Sequence, residues 1–333
     1  MTYGSWQLRW SCKTKELCDG GSSHSYYNYL EDLSSRLYST PLTTLYPDSS
    51  ARGFLVPSTE SDGYGQYKSM MNLWPSIVEE FTKRELSMVD DRPLAISGLA
   101  KEYGRLIGDE YLAGLWAGNL VNGLLWRRKA AFRGPRQRSP SWSWTSIDGW
   151  VQWMPFIDTS GAKLVLLDCK IRLVSPLAPF GAVESACITI QGRLRKAWFD
   201  AKQREQIRFH PWSTDTWRPS TLTAALATWD YLDGDADSQA SCSAALWCLE
   251  VFRFLPAQDG VRGTDYILRP NGILLTQEFG TGNFRRRGYF DFRWESKIYS
   301  EHYDAGIEGF QNQRDNFRKE VFEGCPLSII TIM

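Results

Sequence analysis

Apolar positions along the chain keep one period before about residue 130 and a different one after residue 150. Tyr27, Leu30, Leu33 and Leu37 recur at helical spacing through a polar stretch that Pro41 and Pro47 end. Residues 48–69, rich in Ser, Gly, Tyr and Asp with no sustained period, read as a long surface loop. Pro75 suits a first helical turn, and from there to Arg84 the residues Ile77, Val78 and Phe81 share a face, with Glu79, Glu80 and Lys83 outside. Asp90 or Asp91 is expected to cap the next helix through its carboxylate. That helix carries the stripe Ile96, Leu99, Tyr103, Leu106 and Ile107 and stops at Gly108. Glu110 to Trp126, with Leu112, Leu115, Trp116, Leu120, Leu124 and Leu125, reads as a third helical element broken near Gly118.

Beyond residue 150 the period is two. Val165, Leu167, Cys169, Ile171 and Leu173 alternate with positions that turn polar at Asp168, Lys170 and Arg172. Ala186, Ile188, Ile190 and Leu194 alternate likewise, as do Phe284, Phe290, Phe292 and Trp294 against a row of arginines. This is the pattern of half-buried antiparallel strands. Leu246–Phe254 and Gly272–Gln277 are near-continuous apolar runs suited to central strands, and Leu327–Ile332 reads as a closing strand. The fold class predicted is α+β: an N-terminal helical subdomain followed by an antiparallel β-sandwich or open barrel. Residues 1–138 form the first unit and 139–333 the second, which opens with the Trp-rich junction 139–153.

A length of 333 residues agrees with two packed units. With 15 Trp, 15 Tyr and 16 Phe the chain carries enough large rings for a dense core, or for a surface that stacks sugars or ligands. The switch of period at residues 139–153 favours the core, so Trp116, Trp126, Trp142, Trp144 and Trp150 are assigned to a structural junction between helices and sheet. Lys plus Arg and Asp plus Glu are 38 each, so no global field recruits nucleic acid or anionic lipid. No window of about 18 apolar residues spans a bilayer, and residues 1–18 lack the apolar core of a secretory signal. The seven scattered cysteines then read as reduced thiols of a cytoplasmic protein.

Chemistry is hard to find. The three histidines, His24, His210 and His302, stand at no metal-ligand spacing, and neither HExxH nor CxxC occurs. Ser143 lacks a G-x-S-x-G elbow, and Gly280-Thr281-Gly282 is a hairpin turn rather than a dinucleotide loop. Asp233, Asp235 and Asp237 open like a calcium loop, but Ser238 and Ala244 occupy the required Gly and Glu positions. No catalytic residue, cofactor or metal is assigned. Arg127, Arg128, Arg133, Arg136 and Arg138 are the candidate anion or partner contacts, because arginine binds anions bidentately. Zero net charge turns that reading from nucleic acid towards a protein partner. Arg285, Arg286 and Arg287 form a second cluster, which a strand would split between its two faces.

An ordered series of short motifs adds a resemblance. Gln7–Cys12 is followed by Trp74–Val78, Phe81–Ser87, Asp91–Ala100, Tyr111–Trp116, Leu124–Trp126 and Pro140–Gly149. The series resembles the region C-terminal to the HET domain in fungal heterokaryon-incompatibility proteins. Gly192–Leu194, Gly272–Leu275 and Arg286–Phe290 fit that region's β-rich tail. The family's "DKLPAISGLA"-like segment has Pro and Leu exchanged here, at Pro93 and Leu94, and the HET domain itself is absent from the sequence. The resemblance implies a non-enzymatic regulatory or recognition protein, with no established catalytic residues to carry over. The alternative is an enzyme of fungal secondary metabolism that holds its substrate in an aromatic-lined pocket, which motifs would not reveal.

Overall fold

The computed structural model describes residues 73–84, 86, 88–129, 139–153, 161–199, 206–209, 225–230, 246–253, 270–292 and 321–333, with the backbone of three N-terminal strands. Those strands, β1 (Thr2–Tyr3), β2 (Leu8–Ser11) and β3 (Glu16–Cys18), make a small antiparallel sheet with β2 in the centre. The helical pattern at 27–37, the loop 48–69 and the acidic triplet Asp233, Asp235 and Asp237 lie outside the described residues.

Residues 73–82 are helical (α1), with Ile77 and Val78 buried as the spacing predicts. Helix α2 spans Arg92–Ile107, with Pro93 in its first turn. Its N-cap is Asp91, but the Asp91 side chain makes no capping hydrogen bond, contrary to the expectation for a carboxylate there. Ile96, Tyr103, Leu106 and Ile107 are buried, whereas Leu99 is 40% exposed and Ala100 takes the buried position beside it. Gly108, at φ 64°, ends the helix by donating its N–H to Gly104 O (2.8 Å).

Glu110–Trp126 is not one helix. Strands β4 (Tyr111–Leu112) and β5 (Leu115–Trp116) form a two-residue hairpin, a 3-10 turn follows at Ala117–Asn119, and only Leu120–Leu124 is α-helical (α3). Strands β6 (Arg127–Arg128) and β7 (Val151–Gln152) then pair, bringing the two ends of the basic and Trp-rich stretch together.

The remaining strands are β8 (Val165–Leu173), β9 (Val183–Phe199), β10 (Gln206–Phe209), β11 (Ala225–Trp229), β12 (Leu246–Arg253), β13 (Pro270–Gln277), β14 (Phe284–Asp291) and β15 (Leu327–Ile332). They form one eight-stranded, mostly antiparallel sheet. Strand β9 is long enough to be shared. Its first half lies between β8 and β15, with Ile188 opposite Cys169 and Ile332, and its second half pairs with β12 and β10, with Ala197 opposite Leu246 and Phe209. From β12 the pairing runs through β13, β14, β11 and β10 back to β9, a ring of six strands closed by hydrogen bonds. Closure goes beyond the sandwich or open barrel expected, with the β10–β11 seam paired over two residues, Gln206 with Leu226 and Ile207 with Ala225, among those described.

Within the ring two bulges let the ladder bend, at Glu250/Phe252 in β12 and opposite Leu274/Leu275 in β14, and the β8–β9 pairing outside it has two more register shifts, at Leu166/Asp168 and Arg172/Leu173. Leu274 of β13 faces Gly288 and Leu275 faces Arg286, so Arg287 is the extra residue of β14 in its pairing with β13. The extra residue reverses the faces of everything after it. Phe284 and Tyr289 therefore belong to one buried cluster, and Phe290 and Phe292 to another, where the sequence pattern put Phe284 and Phe290 together.

The second cluster takes side chains from each of the six ring strands, among them Ala197, Phe209, Ala225, Cys248, Leu274 and Phe290, and residues 321–325 pack into it. The first cluster covers the other face. It joins the α1, α2 and α3 side chains to Ile188, Ile190, Leu249, Ile273, Phe284 and Ile332 in one continuous core. Among the described residues no helix is long and apolar enough to cross a membrane.

Candidate functional site

The Trp-rich segment sits where helices, hairpin and sheet meet. Ser143 starts a single 3-10 turn, Trp144–Ser146, and its Oγ accepts the Thr145 N–H (3.1 Å). That turn sends Trp142 and Trp144, both fully buried, into the first cluster. The β4–β5 turn faces them with its carbonyls. Ala113 and Gly114 both have positive φ, 46° and 109°. Gly114 O accepts two indole N–H groups, from Trp144 (2.8 Å) and Trp74 (2.9 Å), and Ala113 O accepts the Ser143 hydroxyl (2.5 Å). A Cβ at position 114 would lie 2.7 Å from Ser143 Oγ and 2.8 Å from Trp144 Nε1, so the site requires glycine.

Other rings extend this packing. Trp126 donates its N–H to Trp142 O (3.0 Å), and Trp153 donates to Gly123 O (3.1 Å). Trp116 packs between Tyr103 and Tyr111, at centroid distances of 5.2 and 5.1 Å, with Trp74 edge-on at 5.6 Å. Trp150 stands apart from the core, half-buried, with the ammonium groups of Lys83 and Lys129 at 5.1 and 5.9 Å from its ring centroid. Truncating one of the fully buried indoles to a methyl would cost about 3–5 kcal/mol.

Charged groups lock the same junction. The Arg92 guanidinium, at the start of α2, binds Asp148 Oδ1 (2.6 Å) and the Gly149 carbonyl (3.4 Å). Arg286 is buried against the Trp126 ring at 3.5 Å. Its Nε donates to Asp230 Oδ2 (2.9 Å), Nη1 to Leu124 O (2.5 Å) and Nη2 to Trp126 O (2.5 Å). Burial raises the proton affinity of the Asp230 carboxyl, and the Arg286 charge opposes that shift. Breaking such a pair by deleting one partner strands the other charge, at a cost of about 3–5 kcal/mol. Ser141 closes the junction against the sheet: its N–H and hydroxyl both donate to Met333 O, and its Oγ accepts the Arg286 N–H (3.0 Å).

The arginines singled out by sequence fall in two groups. Arg127 and Arg128 form β6 and are half-buried, and Arg128 Nη1 donates to the Asp230 carbonyl (2.9 Å). Arg133, Arg136 and Arg138 lie outside the described residues. Of the second cluster, Arg285 points outward and pairs with Glu278, while Arg286 is the buried anchor just described. The alternation of a strand foretold that split. No sequence signal pointed to Asp230, which lies 56 positions from Arg286.

Reactive groups at the junction are thus held in internal bonds. Ser143 Oγ is buried and bonded, and no histidine lies among the described residues. No group of three metal-ligating side chains occurs among them either. Cys169, Cys187, Cys248 and Cys325 are free thiols, and burial pushes Cys325 up to about 11, which keeps it protonated and unreactive at neutral pH. The aromatic cavity lined by Trp74, Leu115, Trp116, Asn119 and Trp153 has about 10 Å³ of room, enough for one water molecule. No family model, curated protein or solved structure matches the chain.

Proposed function

We propose that this chain is a non-enzymatic recognition or regulatory protein that works in the cytoplasm through protein contacts. It does so in the manner of the accessory region that follows the HET domain in fungal heterokaryon-incompatibility proteins. On this reading α1–α3 correspond to that region's helical part and the ring to its β-rich tail. The observation that carries the proposal is an apolar patch on the outer face of β8, β9 and β15. Val165, Leu167, Leu327 and Ile329 are 48–64% exposed there. Val165 and Ile329 flank Gln191 in one cross-strand row, and Asp168, Thr189, Thr331 and Arg193 form a polar rim. Grouped apolar residues rimmed by polar ones mark contact surfaces, whereas isolated ones do not.

The junction supports the same reading from the other side. The Ser143 hydroxyl, the indole N–H groups of Trp74, Trp126, Trp144 and Trp153, and the Arg286 guanidinium are engaged in holding helices to sheet, and the cavity beside Trp116 has room for one water molecule. Arg128 is engaged by Asp230, which favours a protein partner over a polyanion.

The test is the double substitution Leu327→Glu/Ile329→Glu in full-length chain expressed in a filamentous fungus. The parent is expected to co-purify with a discrete partner and the double variant to lose it, with the urea midpoint unchanged. Retention of the partner by the variant overturns the proposal. So does substrate turnover by the purified parent that single cavity substitutions abolish.

A further inference from the structure

The turn 321–325 packs into the second cluster and leads into β15, and three arginines hold it in place. Arg193 Nη1 donates to the carbonyls of Cys325 (2.9 Å) and Glu323 (3.0 Å), with that of Phe322 at 3.4 Å, and Arg195 Nη1 donates to Val321 O. Arg253 is shared: its Nη1 reaches the exposed Glu323 carboxylate at 3.4 Å, and its Nε binds Glu250 Oε1 at 2.6 Å. Just beyond the turn β15 starts with Leu327 opposite Arg193, so the seating of the turn sets one edge of the apolar patch.

Glu250 is the anomaly of this group. It shares a face of β12 with Leu246 and Cys248, which belong to the second cluster, and it is fully buried. Its Oε2 meets no hydrogen-bond donor among the described residues, and an acceptor left unmet in a buried site disfavours the charged form. The charged and titratable groups around it, among those described, come from four elements. They are Arg253 and Cys248 on its own strand, Lys163 on the segment bridged to β12, Arg193 and Arg195 on β9, and Glu323 and Cys325 on the turn. Gly272, opposite it in β13, brings no charge. Desolvation outweighs the cations and raises the Glu250 carboxyl above the ordinary range, while burial keeps the Cys248 and Cys325 thiols protonated. With the turn seated, Glu250 therefore holds its proton more firmly than it would if water reached it.

We propose that Glu250, Arg253 and Glu323 form a proton-controlled latch on the turn 321–325, and through it on the apolar patch. Protonated, Glu250 leaves the Arg253 charge to Glu323, and the turn stays seated. Ionised, it claims Arg253 for itself and draws water to its open oxygen, and the turn lifts, taking Leu327 out of the patch. The stability of the seated state is full below the ordinary carboxyl value of about 4.3 and is lost as pH rises through the raised one. Partner contact is thus tightest in acid and loosens as the pH rises. The latch regulates the contact surface proposed above and rests on that reading.

Hydrogen–deuterium exchange of the full chain between about pH 5 and about pH 8, each rate divided by the intrinsic rate at that pH, tests it. Protection of residues 321–327 in the parent is expected to fall about threefold or more across that range. Glu250→Gln keeps the shape and removes the ionisation, and its protection is expected to stay level. Glu323→Gln, at a side chain 60% exposed, keeps the fold; it is expected to lower protection at every pH and to leave the fall in place. A parent whose protection is independent of pH overturns the latch, as does a fall that persists in Glu250→Gln or vanishes in Glu323→Gln. Partner retention is followed over the same range, and a partner still bound where the turn has opened overturns the regulation. A partner lost on Leu327→Glu/Ile329→Glu from a chain whose turn ignores pH overturns the latch alone. A turn that opens with rising pH in a chain that takes no partner overturns the recognition reading alone.

Discussion

Glu79 accepts the Trp153 N–H at 2.7 Å from a partly buried position on α1, and desolvation raises its carboxyl above the ordinary range. The backbone hydrogen bond and Lys83 act the other way without cancelling the shift. A raised carboxyl means that the folded state holds the proton more firmly than the unfolded chain. The associated stability is full below the unfolded value of about 4.3 and is lost as pH rises through the folded one. Glu79→Gln keeps an acceptor for Trp153 and removes the ionisation. Its urea midpoint is expected to exceed the parent's at pH 7, with the gap closing as the pH falls to about 4. A gap independent of pH would show that burial does not control this carboxyl. Arg286 shows what is legible at this scale. Strand alternation turns it inward, but which carboxylate meets it depends on how β11 and β14 are brought together.

At the scale of elements, the β4–β5 hairpin is the part that local pattern misreads. Leu112, Leu115, Trp116 and Leu120 keep helical spacing, and two-residue arms are too short to show alternation. Gly114 was the available sign of a turn. What holds the turn is distant in sequence: the indoles of Trp74 and Trp144 and the hydroxyl of Ser143. Gly114→Ala imposes a side chain at φ 109° and crowds Ser143 and Trp144, and is expected to destabilise by about 2–4 kcal/mol. Tryptophan emission in the variant should shift to the red as the indoles lose their acceptor. Gly98→Ala is the internal control. It meets nothing within 4 Å on an exposed turn of α2 and is expected to stabilise by about 0.5–1 kcal/mol. Equal losses at the two sites would mean that the hairpin turn is not pinned.

For the whole molecule, the first cluster sets the cooperativity. It contains Val78, Ile96 and Leu124 from the helices together with Ile190, Leu249 and Ile332 from the sheet. Helices and sheet that share buried surface lose it together. Tryptophan fluorescence, reporting the junction, and far-UV circular dichroism, reporting helix and sheet, are expected to trace one urea transition. Separated midpoints would show that the helices and the ring unfold as independent units. The C-terminal strand belongs to this argument: β15 joins β9 to β14, and Met333 exchanges backbone bonds with Ser141 and Phe284.

Sequence by itself determined the elements whose period is long and uninterrupted. Helix α2 with its Gly108 stop, and strands β8, β12 and β15, lie close to where spacing put them, because burial of one face repeats at fixed intervals along a regular backbone. Strands β10 and β11 were not read, since segments of four and five residues hold too few repeats. Tertiary structure alone decided the rest: the closure of the ring, the bulge at Arg287 that parts Phe284 from Phe290, and the meeting of Asp230 with Arg286. Each of these brings together residues far apart in the chain. The entropy of joining them is recovered only when many such contacts form at once, so no local window of sequence contains the information.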